Sequence, residues 1–169
     1  MAIKIARPGR KIPITTDLGV YGEWMEADAA LRAALVKDSP DVPELTRRVL
    51  ELQEQMEEST IELHLEALDR TRWKRAVAAN PPRDDDPEDA SNGVNTDTFF
   101  NEVIPLSITK VTYKTTGEVA DFNWGDVEND LTDAQWQAVA AAVLRLNRVV
   151  TSAPLSRAAS RETRGSSES

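Results

Sequence analysis

The stretch Thr60-Ile61-Glu62-Leu63-His64-Leu65-Glu66 alternates polar and apolar residues, which places Ile61, Leu63 and Leu65 on one face of a half-buried strand. A lone strand leaves its backbone groups unpaired, so it needs neighbours. Ile3-Lys4-Ile5 and Lys11-Ile12-Pro13-Ile14 are the nearest candidates, and Arg7-Pro8-Gly9-Arg10 between them reads as a Pro-Gly turn joining two short extended segments. Pro13 suits an edge strand because it donates no ladder hydrogen bond. On the C-terminal side, Asp69 or Thr71 can cap a helix carrying Trp73, Val77 and Ala78. Asn80-Pro81-Pro82 stops that helix, since a proline disfavours helical geometry in the residue before it. Asn95 or Asp97 opens another helix with Phe99, Val103 and Ile104, which Pro105 closes. Trp73 and Phe99 carry large apolar surfaces on helices too short to persist alone, so both are expected in the core.

Ahead of the strand, Trp24, Ala27, Leu31, Ala34 and Leu35 recur at helical spacing between Glu23 and Lys37, until Asp38-Ser39-Pro40 ends the run. A second helix starts after Asp41, which is expected to cap it with Glu44 completing a capping box. Its apolar positions Val42, Leu45, Val49, Leu52 and Met56 follow heptad spacing. The pair reads as an αα-hairpin whose stripes either bury one another and part of the sheet or offer a docking surface to a foreign helix. Apolar helical stripes are mostly core, which favours the first reading.

Beyond Pro105, Ile108, Lys110 and Thr112 alternate with Val111 and Tyr113, and Thr115-Thr116-Gly117-Glu118 supplies a turn before Val119 to Trp124, so a hairpin is expected. Thr132 and Gln135 form a capping box at the head of the last helix, with Leu131 able to staple onto Trp136. Trp136, Val139, Val143, Leu146 and Val150 make its stripe, widened by Ala140 and Leu144. That stripe is wider than one helix contact needs and is the candidate partner-binding surface, against the alternative of complete burial on this chain's own hairpin. From Thr151 the chain holds six serines and three arginines in nineteen residues, the composition of a disordered tail.

These elements define an α+β, helix-dominated fold: an αα-hairpin, a small β-sheet and a long C-terminal helix. A single domain is expected over 1–151, made of an N-terminal β arm (1–16), the αα-hairpin (17–58), a strand-helix core (59–105), and a hairpin with the C-terminal helix (106–151). A tail over 152–169 follows. A length of 169 residues suits one such domain.

With 29 acidic against 20 basic residues the net charge is −9, so a nucleic-acid backbone is repelled and no nucleic-acid partner is expected. Cysteine is absent, which excludes disulfides and thiolate chemistry. No apolar run approaches the roughly 20 residues of a membrane span, so no membrane partner is expected and the chain should remain in the cytoplasm where it is made. Asp84-Asp85-Asp86-Pro87-Glu88-Asp89 resembles the start of a calcium loop, but the sixth and twelfth positions hold Asp89 and Asn95 instead of Gly and Glu. It reads instead as a solvated, self-repelling mobile loop, with Mg2+-dependent hydrolysis as a remote alternative. His64 points away from the apolar face, where Glu62 and Glu66 should raise its pKa if they act at all. There is no phosphate-binding glycine loop, His-Glu-x-x-His motif or Gly-x-Ser-x-Gly elbow, so no cofactor, metal or catalytic residue is assigned.

The order of parts carries a resemblance. Glu57-Glu58-Ser59-Thr60, then Leu68, Arg70 and Trp73, then Pro81-Pro82-Arg83-Asp84, then Gly93, Asn95 and Asp97-Thr98-Phe99 resemble the tail assembly chaperone family of long-tailed actinobacterial phages. The resemblance continues in Leu131-Thr132-Asp133-Ala134-Gln135-Trp136 and from Asn147 through Pro154-Leu155-Ser156, and spans about two thirds of the chain. Asn80 stands where His often precedes the proline pair, and the interval 105–127 is longer than the family's. The resemblance implies a non-enzymatic protein that keeps the tape measure protein soluble in the host cytoplasm until tail tube protein assembles around it. It further implies a longer, frameshift-extended form of the same product, possible homo-oligomers, and absence from the finished virion. The alternative is a structural virion protein, a head-tail connector or minor tail component.

Overall fold

A computed structural model describes residues 1–148; the expected tail over 152–169 and the stripe residue Val150 lie outside the described residues. Within them the chain is helix-dominated, with one three-stranded antiparallel sheet in the order β1 (Gly9–Thr15), β2 (Thr60–Glu66), β3 (Ile108–Tyr113). The alternating stretch is the central strand. Ile61, Leu63 and Leu65 turn into the core while Ile14, Ile12 and Arg10 oppose them from β1, and Tyr113, Val111 and Ile108 from β3. Pro13 lies opposite Glu62 in β1, an edge strand where its missing N–H breaks no ladder.

The Arg7-Pro8-Gly9-Arg10 turn does not form. A single N-terminal strand begins at Gly9, and the Pro8 carbonyl accepts from the Ala67 N–H at 2.9 Å, extending the pairing instead of reversing the chain. The hairpin after β3 is shorter than expected. Gly117 turns the chain at φ +72°, Tyr113 N–H donates to the Glu118 carbonyl and Ala120 N–H to that of Val111, but 119–124 forms no strand beyond a single bridge between Thr112 and Val119. A register shift between His64 and Leu65 lets β2 accommodate β3.

Helix α1 (Leu18–Val36) starts five residues before the apolar periodicity does, because the Asp17 carboxylate accepts from the Val20 N–H at 3.1 Å. Helix α2 (Val42–Glu58) lacks the expected capping box. Asp41 accepts from the Ser39 hydroxyl at 3.2 Å, and Glu44 is taken by Arg47 on its own helix. Helix α3 (Arg70–Ala79) is capped by Asp69 and ends before the proline pair. A short α4 (Pro87–Asn92) leads to α5 (Thr96–Ser107), capped by Asn95. That helix runs two residues past Pro105, because a proline so near the C-terminus removes one bond without breaking the helix. After a single turn, α6 (Trp124–Val127), α7 (Asp133–Arg148) closes the fold.

Both capping-box bonds of α7 are present: Gln135 N–H to the Thr132 hydroxyl at 3.2 Å and Thr132 N–H to Gln135 Oε1 at 3.1 Å. Gln135 also donates to the Thr15 carbonyl at 3.0 Å, fixing α7 against β1. Thr132→Ala is therefore expected to cost about 1 kcal/mol in chemical denaturation. An unchanged midpoint would mean that packing alone sets the helix start.

The core lies between the buried face of the sheet, α5 and α7, with Leu63, Val94, Phe99, Val103, Ile104, Val139 and Val143 fully enclosed. Trp124 joins it, a residue whose position the sequence pattern did not distinguish. Trp73 is only partly buried and packs on the edge of this core, whereas Phe99 is wholly inside.

Candidate partner-binding surface

The αα-hairpin packs chiefly on itself. Val49 and Leu52 of α2 and Ala34 of α1 are buried between its helices, with Val42, Leu45 and Met56 half-buried, and none of these belongs to the main core. Arg48 reaches across to Glu23 at 2.6 Å. At its base, Thr16 N–H donates to the Ser59 carbonyl at 2.9 Å and Lys114 pairs with Glu57 at 2.6 Å, which anchors the arm to the sheet.

Helix α1 is apolar on two sides. Trp24, Ala27, Leu31 and Ala34 share the side shielded by α2, and at 3.6 residues per turn Leu18, Gly22, Met25, Ala29, Ala33 and Val36 fall on the opposite one. That outer side is exposed throughout: Leu18 keeps 38% of its surface open, Met25 49% and Val36 88%, with Tyr21 beside them at 43%. A helix with apolar residues on two opposite sides ordinarily buries both, so this open face departs from ordinary surface composition. A cavity of about 370 Å³ opens at the foot of the same helix, walled by Ile14, Leu18, Ile61, Phe122 and Leu131.

The stripe expected on the last helix is distributed differently. Val139 and Val143 are fully buried among sheet and α5 residues, so they are not available to a partner. Trp136 packs edge-to-face on Phe100 at 5.4 Å, and Leu146 is partly buried along a second, open cavity that also touches Trp73. The sheet supplies the second wall that a single hairpin could not, which is why a wide stripe is consumed internally. The sequence signal for α1 is its weak amphipathicity: Leu18, Met25 and Val36 interleave with the expected stripe, of which Trp24, Ala27, Leu31 and Ala34 are shielded while Leu35 is exposed.

The acidic run is solvated only in part: Asp84, Asp85 and Glu88 are exposed, but its end is folded inward. Asp89 is completely buried, accepting from Arg83 Nε at 2.8 Å, Arg83 Nη2 at 3.0 Å, the backbone N–H of Arg83 at 2.9 Å, and the Thr96 N–H and hydroxyl at 3.0 and 2.9 Å. Arg83 also grips Asp97 at 2.5 Å and Asp86 at 3.0 Å. Asp86 caps α4, and Gly93 ends it in the left-handed conformation at φ +73°. The Arg83 guanidinium, helped by the Thr96 and Arg83 N–H groups and opposed by burial, holds the Asp89 carboxyl well below the ordinary carboxylate range. The segment from Pro81 to Phe99 thus forms one folded unit: the Asn80 carbonyl accepts from the Asn95 N–H at 2.9 Å and its side-chain amide donates to Glu102 at 2.8 Å, closing it.

His64 hydrogen-bonds through Nε2 to the Thr112 hydroxyl at 2.9 Å. Its pKa is lowered, not raised, first by desolvation and then by Lys110 and Lys11 across the strands; Glu62 opposes them more weakly, and Glu66 is engaged by Arg7 at 2.8 Å. Among the described residues, no group of three or more His, Asp and Glu is placed to hold a metal ion. No helix there is long and apolar enough to cross a membrane.

Fold and surface together define a helix-dominated α+β scaffold that presents an apolar helical arm. No protein-family model, curated protein or solved structure matches the chain.

Proposed function

We propose that this chain is a non-enzymatic chaperone of phage tail assembly, which covers amphipathic helices of the tape measure protein in the host cytoplasm until tail tube protein replaces it. The observation that carries the reading is the outer face of α1: an apolar strip on an acidic molecule, held out from the core on a self-packed hairpin. A client helix laid on such a face buries its own stripe, while the net charge of −9 keeps the complex dispersed. The client surface is thereby assigned to the hairpin instead of the C-terminal helix, whose central valines are internal. A frameshift-extended form of the product would carry the same hairpin, so both forms would share the client.

The test is the protein content of purified virions by mass spectrometry. A chaperone is present in infected cells and missing from particles. Stoichiometric retention in particles would instead make the chain a connector or minor tail component.

A further inference from the structure

We infer that the cavity at the foot of α1 is an anchor site for a partner segment that is both apolar and cationic. One large aliphatic or aromatic side chain enters it, while a lysine or arginine within a turn of that residue meets the carboxylates at its rim. Much of the wall is apolar: Ile14 and Ile61 come from the sheet, Leu18 from α1, and Phe122 and Leu131 from the stretch between β3 and α7. At about 370 Å³ the space lies at the small end of the range for ligand sites. Its rim is of one sign. Asp121 and Asp130 line the cavity, both are exposed, and among the described residues neither takes part in an ion pair. No lysine, arginine or histidine lines it.

The imbalance continues around the opening: from Thr115 to Leu144 the sequence holds six carboxylates and no cation. Unpaired carboxylates beside an apolar opening attract cations and repel phosphate, so the charge favours a basic segment and disfavours nucleic acid or an anionic surface. Lysine and arginine suit the place, because the aliphatic stem can lie over the lip formed by Leu18 and Tyr113 while the charged head reaches the carboxylates. The cations near the N-terminus are engaged elsewhere, Arg7 with Glu66 at 2.8 Å and Lys11 with Glu62 at 3.4 Å.

Leu18 belongs to two surfaces at once. It stands in the cavity wall and begins the open face of α1, which runs from it for about 28 Å to Val36. A helix laid along that face therefore brings one end to the cavity, and the cavity fixes its register by holding the anchor and its cation beside Leu18. That a tape measure helix is the occupant rests on the chaperone reading. The preference of the site for a cationic apolar segment does not.

Fluorescence anisotropy of labelled peptides of roughly 18 residues against the full chain tests the site without the tape measure. The probes are an amphipathic leucine-lysine peptide, the same peptide with glutamate for lysine, and the same with glutamine for leucine. The leucine-lysine peptide should bind about tenfold or more tightly than either of the others, and its affinity should fall as salt is added. Asp121→Asn with Asp130→Asn should weaken it about fivefold. Glu54→Gln with Glu58→Gln removes the same charge from α2 and should change it by less than about twofold. All four residues are exposed, so both variants should keep the circular dichroism melting curve. Equal weakening by the two pairs would mean general attraction to an acidic chain, and would overturn the inference. So would comparable binding of either other peptide, or a cavity filled by a second copy, seen as peptide binding that falls as the chain is concentrated. If the peptide tests fail while the tape measure is still kept soluble, the anchor site alone is lost. If they hold while the chain is retained in virions, the chaperone reading alone is lost.

Discussion

Phe99→Ala is expected to lower the unfolding free energy by about 3–5 kcal/mol. Phe99 is completely enclosed and sits at the middle of an aromatic chain. Its ring meets Trp73 at 5.2 Å and Phe100 at 5.4 Å, both edge-on, and Phe100 meets Trp136 at 5.4 Å, so α3, α5 and α7 are tied through one contact series. Removing the ring leaves a cavity that three helices must collapse into at once, which rigid neighbours resist. Trp73→Ala should cost less, because Trp73 retains solvent exposure and part of its contact is with Arg148 over its face at 5.8 Å. Urea denaturation followed by tryptophan fluorescence measures both. A Phe99→Ala loss below that of Trp73→Ala would place the structural centre elsewhere.

Asp89→Asn should have the second large effect, a fall in melting temperature of about 10 °C. The carboxylate is fully enclosed and accepts five hydrogen bonds from Arg83 and Thr96; the amide accepts fewer and sets its NH2 against donors. Asp85→Asn, on the exposed side of the same run, should leave the melting temperature unchanged. The sign of the pH dependence follows from the depressed pKa. Above the ordinary carboxylate value of about 3.8 the native and unfolded chains are both ionised at Asp89, and its full stabilisation is present. As pH falls below that value the unfolded chain takes up a proton that the native chain refuses, and stability is lost progressively toward the lower native pKa. Asp89→Asn should therefore be less stable at neutral pH and should show a shallower acid limb. An acid limb of unchanged slope would remove Asp89 as its source.

What was legible in the sequence was local. Alternation fixed β2 and its buried face because a two-residue period allows only one assignment, and Asp69, Asn95 and Thr132 announced helix starts because each cap is a contact within three residues. What failed depended on distant partners. Glu44 suits a capping box but is claimed by Arg47, and among five carboxylates in six residues nothing local says that Arg83 folds back over Asp89 and buries it. The stripe of α7 has the same pattern whether its other side meets a client or a sheet. Only the tertiary arrangement decides that Val139 and Val143 are inside and that α1, apolar on two sides, keeps one of them open.

The most direct test of the account is the soluble fraction of the tape measure protein co-expressed with this chain, with its Met25→Glu variant, or alone. The account predicts that the tape measure is soluble and co-purifies with the wild-type chain, and precipitates both alone and with a stably folded Met25→Glu chain. Equal solubility of the tape measure in the presence and absence of the wild-type chain would contradict it.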